Sequence, residues 1–290
     1  MVSRIVLFST ALVLALCAVV AAGCGGGSGN GKTIVTAFYP LAFAAEQLTG
    51  GAVDVRNLTP AGAEPHDLEL TPGDVRAVHD AAQVFYLGDG FMPGLESALK
   101  ERSGPSVDIL AELRRQEGNG GGPPHDPHVW LDPVRFAAMV RLMGSVLGDE
   151  AAAARLARRL AALDGEYRRG LAHCARHTIV TSHAAFGYLA RRYGLEQVPL
   201  EGLSPEAEPS ARDIAHVVDV VRGSGATTVF AETLLSPKLA QTIAREAGVE
   251  TAVRNPLEGL TDTQVAAGAD YFSVMRSNLV ALRKALGCTS

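Results

Sequence analysis

The feature that most constrains the fold is an alternation of short β-branched runs with helical patterns, interrupted once by a long helical stretch. The predicted strands lie at residues 33–37, 53–58, 83–87, 107–110, 178–182, 227–231 and 251–254. Strands that alternate with helices are typical of βαβ units and of parallel sheets. The sequence therefore predicts two parallel-sheet α/β lobes, one in each half of the chain.

The interruption, at residues 133–173, carries no strand signal and is rich in Ala, Leu, Arg and Glu, which are strong helix formers. It predicts one helix at 133–147 and a second at 149–173. The second would span roughly 35 Å at about 1.5 Å per residue, long enough to join two lobes as a rigid strut. We therefore expect an N-terminal lobe at 32–132 and a C-terminal lobe at 174–290.

The first 23 residues have the pattern of a signal peptide. Arg4 is followed by the apolar run 5–20 and by small residues directly before Cys24. Small residues before a cysteine resemble a bacterial lipobox, in which Cys24 would be lipidated and become the new N-terminus. The glycine-rich residues 24–31 would then be a flexible tether. Ordinary secretion with an incidental cysteine is the alternative.

Two cysteines remain in the folded part, Cys174 and Cys288. Outside the cytoplasm such a pair often oxidises, so a disulfide that fixes the C-terminal helix is one expectation and two free buried thiols are the other. The net charge is −5 and no run of Lys or Arg is present. This composition argues against a nucleic-acid partner.

Three histidines occupy similar places in the predicted topology. His66 lies in AEPHDLE, His128 in HDPHVWLDP and His183 in VTSHAAFGY, and the segment NPLE at 255–258 also follows a strand. In open parallel sheets, ligands bind beyond the carboxyl ends of the strands. Two facing lobes would bring these segments to one point in the cleft, and three imidazoles with a carboxylate suit zinc best.

Successive segments of the chain resemble those of a known family. The segments FYPLAFAAEQLTG, AEPHDLELTPGDV, PHVWLDP, TSHAAFGYLARRYGL, VFAETLLSPKLAQTIARE and NPLEGLT are similar to motifs of the metal-binding lipoproteins that serve ABC importers for zinc and manganese. They occur in the family's order over nearly the whole mature chain. The resemblance implies two α/β lobes, a long linking helix and a metal held between the lobes.

Position by position, the resemblance implies that His66, His128 and His183 are the first three ligands. Manganese-binding members tend to have glutamate at the third position, so His183 favours zinc. For the fourth ligand we expect Glu258, with Asn255, Glu232 or water as alternatives. His125 is expected to be solvated, because the long histidine-rich run that many zinc-binding members have before His128 is missing here.

The function implied is capture of extracytoplasmic Zn²⁺ and its delivery to a membrane permease by a monomer, anchored through Cys24 to the outer face of the membrane or periplasmic. A manganese-binding member of the same class is the nearest alternative. A zinc-dependent hydrolase is another class, but HExxH and GxSxG motifs are missing from the sequence. A surface adhesin is a third. We expect a binding protein and not an enzyme.

Overall fold

A computed structural model describes residues 33–117, 125–203 and 210–289. The strands are β1 Ile34–Thr36, β2 Val55–Asn57, β3 Gln83–Tyr86, β4 Ser106–Asp108, β5 Thr178–Thr181, β6 Glu196–Pro199, β7 Thr228–Glu232 and β8 Glu250–Arg254. The helices are α1 Tyr39–Thr49, α2 Pro72–Asp80, α3 Pro93–Lys100, α4 Ile109–Glu117, α5 Pro133–Leu147, α6 Glu150–Gly170, α7 Gly187–Tyr193, α8 Ala211–Ser224, α9 Lys238–Ala247, α10 Asp262–Ala266 and α11 Tyr271–Leu286. Short 3₁₀ turns at Val129–Leu131 and Ala184–Phe186 follow two of the histidines.

The strands form two four-stranded sheets with the same topology, in the orders β2-β1-β3-β4 and β6-β5-β7-β8. All six pairings between these strands are parallel. The inner pair β5 and β7 is in register at Thr181 and Phe230, which places the carboxyl ends of both strands side by side. The fold class predicted from the sequence, two parallel-sheet α/β lobes, is confirmed.

Helices α5 and α6 follow the first sheet and precede the second in chain order, and they pack against each other. Gly144 of α5 has to be small, because a Cβ there would lie 2.5 Å from the Ala153 Cβ of α6. The side chain of Asp149 caps α6 by accepting a hydrogen bond from Ala152 N at 2.8 Å. At 21 residues, α6 is roughly 31 Å long. It ends at Gly170, three residues before the predicted limit.

Three elements differ from the sequence-based prediction. Helix α4 begins at Ile109, inside the strand predicted at 107–110, because Asp108 accepts a hydrogen bond from Ala111 N at the start of the helix. Strand β6 was not predicted, since its burial alternates weakly and its sequence EQVP has little β-branched character. The single final helix predicted from about residue 262 is two helices, because Gly268 adopts φ +69° and Asp270 caps α11.

The larger of two hydrophobic cores reaches across both halves of the chain, and the smaller one lies among β5, β7, α8 and α9. The ring of Tyr271 in α11 stacks 4.5 Å from Phe136 and 5.8 Å from Phe43, and the Tyr167 hydroxyl of α6 donates to the Met275 carbonyl at 2.6 Å. The C-terminal helix is therefore anchored on both the linking helices and the first lobe. Its end is fixed by a disulfide between Cys174 and Cys288.

The predicted signal peptide, Cys24 and the tether lie outside the described residues. Within the described part of the chain, no helix has the length and apolar character needed to cross a membrane.

Candidate metal centre

Four side chains from four separate segments place one nitrogen or oxygen atom each at a common point. They are His66, His128, His183 and Glu258, whose potential ligand atoms all lie within 4.8 Å of one another. The Glu258 Oε1 atom lies 3.2 Å from His66 Nε2, 3.0 Å from His128 Nε2 and 3.2 Å from His183 Nε2. The Nε2 atoms of His128 and His183 are 3.3 Å apart. In a tetrahedral zinc site with bonds of about 2.0–2.1 Å, neighbouring donors lie about 3.3 Å apart.

His128 is oriented by a carboxylate from its own turn. Asp126 is 1% exposed, and its Oδ1 atom lies 2.8 Å from His128 Nδ1 and accepts the His128 backbone N–H at 2.9 Å. A carboxylate can only accept, so Nδ1 carries a proton and Nε2 is the ring nitrogen that faces the centre. Metal-binding histidines commonly have such a carboxylate behind them.

His183 is oriented in the same way, but from a neighbouring strand. It lies just beyond β5, and Glu232 is the last residue of β7. The Glu232 Oε2 atom lies 2.6 Å from His183 Nδ1, while Oε1 accepts the His183 backbone N–H at 3.1 Å. The adjacent carboxyl ends of β5 and β7 therefore set the position and the tautomer of His183.

Glu258 is positioned by a short loop with a strained residue. Leu257 has φ +59°, and the Asn255 side chain stabilises the turn by accepting the Leu257 backbone N–H at 2.6 Å. The indole N–H of Trp130 donates to the Pro256 carbonyl at 2.7 Å. Since Trp130 follows His128 closely, this hydrogen bond joins the segments that carry His128 and Glu258. Trp130 therefore anchors its loop.

His66 is the outermost member of the cluster. Its side chain is 6% exposed, whereas those of the other three are at most 1% exposed. The Phe91 ring packs edge-on against its imidazole at 4.7 Å, and Glu64 accepts its backbone N–H at 3.2 Å. A cavity of about 360 Å³, lined in part by His66, Phe91, His125 and Leu203, opens here. The cavity therefore reaches the most exposed member of the cluster.

The electrostatics of the cluster favour a cation. Burial alone would raise the pKa of Glu258, but the His183 charge and hydrogen bonds from the three histidines hold it well below its usual range. Burial alone would lower the pKa of His183, but the carboxylates of Glu258 and Glu232 raise it to about 11. The second Glu258 oxygen, Oε2, is buried without a hydrogen-bond partner among the described residues. The centre therefore attracts positive charge, and Zn²⁺ would satisfy the same groups that otherwise hold protons.

The other candidates have different positions. Asn255 makes backbone hydrogen bonds in its loop and Glu232 lies on the Nδ1 side of His183, so neither belongs to the converging set. His125 is 72% exposed at its side chain and contacts Asp89 at 3.0 Å, which agrees with the solvated position expected for it.

Comparison with known proteins places the chain in a family. Residues 34–285 match the family described as "Zinc-uptake complex component A periplasmic". The chain belongs to this family. The resemblance inferred from the sequence motifs is thereby confirmed.

Relatives in the family include proteins named for zinc. "Zinc-binding protein AdcA" of Streptococcus pyogenes is 35% identical over 283 residues, which cover 86% of this chain and 55% of AdcA. "High-affinity zinc uptake system protein ZnuA" of Bacillus subtilis is 32% identical over 96% of this chain and 98% of its own length. The chain spans a little over half the length of the AdcA relatives it matches.

Among solved structures, the Zn(II)-bound ZnuA-like domain of Streptococcus pneumoniae AdcA superposes with a TM-score of 0.74 at 36% identity. The match covers 88% of this chain and 99% of that domain.

Two residues of the site were not identified from the sequence. They are Asp126, which orients His128, and Phe91, which packs against His66. The spacing Asp-x-His at 126–128 is a usable signal for Asp126, since the carboxylate can accept both the backbone N–H and Nδ1 of a histidine two residues later. Phe91 has no such signal, because its contact with His66 depends on how two loops of the first lobe pack.

Proposed function

We propose that this protein captures Zn²⁺ outside the cytoplasm and delivers it to the permease of an ABC importer. The observation that carries the proposal is the buried convergence of three imidazole nitrogens and one carboxylate oxygen. The family membership and the zinc named in the relatives support the same cargo. The protein acts as a binding protein and not as an enzyme.

The proposed ligands are His66, His128 and His183 through Nε2 and Glu258 through a carboxylate oxygen. Three nitrogen donors and one oxygen donor in a compact four-coordinate set suit Zn²⁺, whereas Mn²⁺ prefers more oxygen donors and a higher coordination number. Glu258 takes the fourth position, which a zinc hydrolase would leave open for water. The arrangement therefore supports storage of the ion over catalysis.

Capture would begin at His66. This side chain lines the cavity of about 360 Å³ and is the most exposed of the four, so an ion arriving from solvent meets its nitrogen first. Transfer to the buried Nε2 atoms of His128 and His183 would displace the protons that the cluster holds. Tight binding and deep burial would then prevent loss of the ion before the permease is reached.

The setting of this function follows from the N-terminus. We propose that residues 1–23 direct export, that Cys24 carries a lipid, and that residues 24–31 tether the folded part to the outer face of the membrane. A monomer would present the mouth of the cavity to the permease. An adhesin role stays a prediction, which host-ligand binding that survives zinc removal would support.

The test is zinc and manganese titration of the purified protein and its variants. We expect one zinc per chain, with zinc bound more tightly than manganese. Loss of one of four ligands in His128→Ala or His183→Ala should cost on the order of 3–4 kcal/mol, a quarter of the total for a typical four-ligand zinc site. His79→Ala is the matched control, since that imidazole is 67% exposed, and it should bind like the wild type.

Tighter binding of manganese than of zinc would contradict the cargo assignment. Unchanged zinc affinity in His183→Ala would contradict the ligand set.

A further inference from the structure

A buried arginine precedes the loop that carries Glu258, and the metal-binding geometry gives it no role. Arg254, the last residue of β8, is 1% exposed and is the only buried arginine or lysine within the described ranges. Among those residues, none of its three guanidinium nitrogens has a hydrogen-bond partner. A buried charge without hydrogen bonds is costly, and such residues are rare unless something offsets the cost.

Two aromatic rings offset part of that cost. The guanidinium carbon of Arg254 lies 3.6 Å from the Phe186 ring centroid and 5.7 Å from that of Phe230. Cation–π contacts are strongest where the cation is shielded from water, as it is here. Burial lowers the pKa of Arg254 to about 10, so the side chain keeps its charge at neutral pH.

The location of this charge connects it to the centre. Phe186 ends the 3₁₀ turn that begins after His183, Phe230 lies two residues before Glu232 in β7, and Arg254 itself leads into the loop that carries Glu258. Arg254 therefore contacts the segments that carry His183 and Glu232 through Phe186 and Phe230. It directly precedes the third C-terminal segment of the site, which carries Glu258. Tyr167 and the Glu232 carboxylate favour the charged form of Arg254 and so oppose the lowering of its pKa by burial.

The sign of the interaction with cargo follows from Coulomb's law. A fixed positive charge in a medium of low dielectric constant stabilises the carboxylates of the metal-free site and repels an arriving Zn²⁺. The arginine thus favours the metal-free state over the loaded state. A carrier that must release its ion to a permease benefits from a repulsion that weakens ion binding.

We propose that the buried charge of Arg254 weakens zinc binding and so eases zinc release. The proposal rests on the zinc site at His66, His128, His183 and Glu258 proposed above. If Arg254 only supported the structure, replacing it would loosen the metal site and weaken zinc binding. If its charge repels zinc, replacing it by a neutral residue strengthens zinc binding.

The test compares three substitutions of Arg254 with a surface control. Arg254→Met and Arg254→Gln remove the charge at similar length, and replacing a buried charge by an uncharged side chain is often tolerated or stabilising. Arg254→Lys keeps the charge. Arg276→Met removes a surface charge that is 52% exposed. Zinc affinity is measured for all variants at one fixed pH by competition with a chromophoric chelator, and zinc dissociation by stopped flow into excess chelator.

Either neutral variant should bind zinc at least about tenfold more tightly, equivalent to about 1.4 kcal/mol, with correspondingly slower dissociation. Arg254→Lys and Arg276→Met should stay close to the wild type. Unchanged or weaker binding in a folded neutral variant would overturn the proposal, as would equal tightening in Arg254→Lys. His128→Ala tests the zinc site separately from the role of Arg254. Tight zinc binding retained in this variant would refute the site itself and with it the role of Arg254.

Discussion

The two best-buried histidines of the centre are held by carboxylates in the same chemical way but through different backbone routes. Asp126 is two residues from His128, and one oxygen accepts both hydrogen bonds from that residue. Glu232 is 49 residues from His183 and uses one oxygen for the backbone N–H and the other for Nδ1. The first pair is a local turn, whereas the second exists only because β5 and β7 are neighbours.

The difference has a physical consequence for robustness. A local pair needs only the conformation of its own turn, so it tolerates changes elsewhere in the lobe. A pair made across a sheet depends on the register of the two strands and on the core that holds them. The half of the site at His183 is therefore the half that long-range interactions must support.

Removing the disulfide tests how far the half of the site at His183 depends on long-range interactions. Cys174 and Cys288 close a loop of 114 residues that contains the whole second sheet. Replacing both by serine should lower the free energy of unfolding by about 2–4 kcal/mol, because the unfolded chain regains conformational entropy. Denaturant unfolding followed by circular dichroism would measure the change.

Zinc affinity of the same variant should change by less than about threefold, or under 1 kcal/mol, since the bridge precedes β5 and the site follows its carboxyl end. A loss of affinity as large as the loss of stability would show that the two ends of the sheet are not independent.

Substitution of the two carboxylates by their amides tests the comparison itself. In Asp126→Asn, a single carbonyl oxygen can still accept both hydrogen bonds from His128. In Glu232→Gln, the amide nitrogen must face one of the two donors of His183. Carboxylates behind metal ligands are typically worth 10–100-fold in affinity, and we expect about tenfold for Asp126→Asn and about a hundredfold for Glu232→Gln.

Zinc titration against a competing chelator would measure both, with Glu246→Gln, a change at a side chain 57% exposed, as the control. Equal losses in the two variants would refute the distinction between one-oxygen and two-oxygen acceptance.

Much of the site was accessible from the sequence because its residues share a topological position. His66, His183 and Glu258 follow β2, β5 and β8, and parallel strands bring their carboxyl ends together. His128 is different, since α4 and residues 118–124 separate it from β4. The rule about strand ends therefore applies less directly to His128, and the motif PHVWLDP is its stronger sequence signal.

The roles of Glu232 and Arg254 could not be predicted from sequence pattern. An acid at the end of a strand is a plausible ligand, and only the register of β5 and β7 shows that it approaches His183 from the Nδ1 side. Arg254 occupies the last position of a strand whose sequence suggests a surface edge. That its side chain lies against Phe186 depends on packing among three segments distant in sequence, which no local pattern encodes.

The most direct test of the central claim is a crystal structure of the zinc-loaded protein with anomalous diffraction at the zinc edge. We predict one anomalous peak at about 2.0–2.2 Å from the Nε2 atoms of His66, His128 and His183 and from an oxygen of Glu258, with Asp126 and Glu232 still on the Nδ1 side of their histidines. A peak coordinated by Nδ1 of His128 or His183, or by Glu232 or Asn255 in place of Glu258, would contradict it.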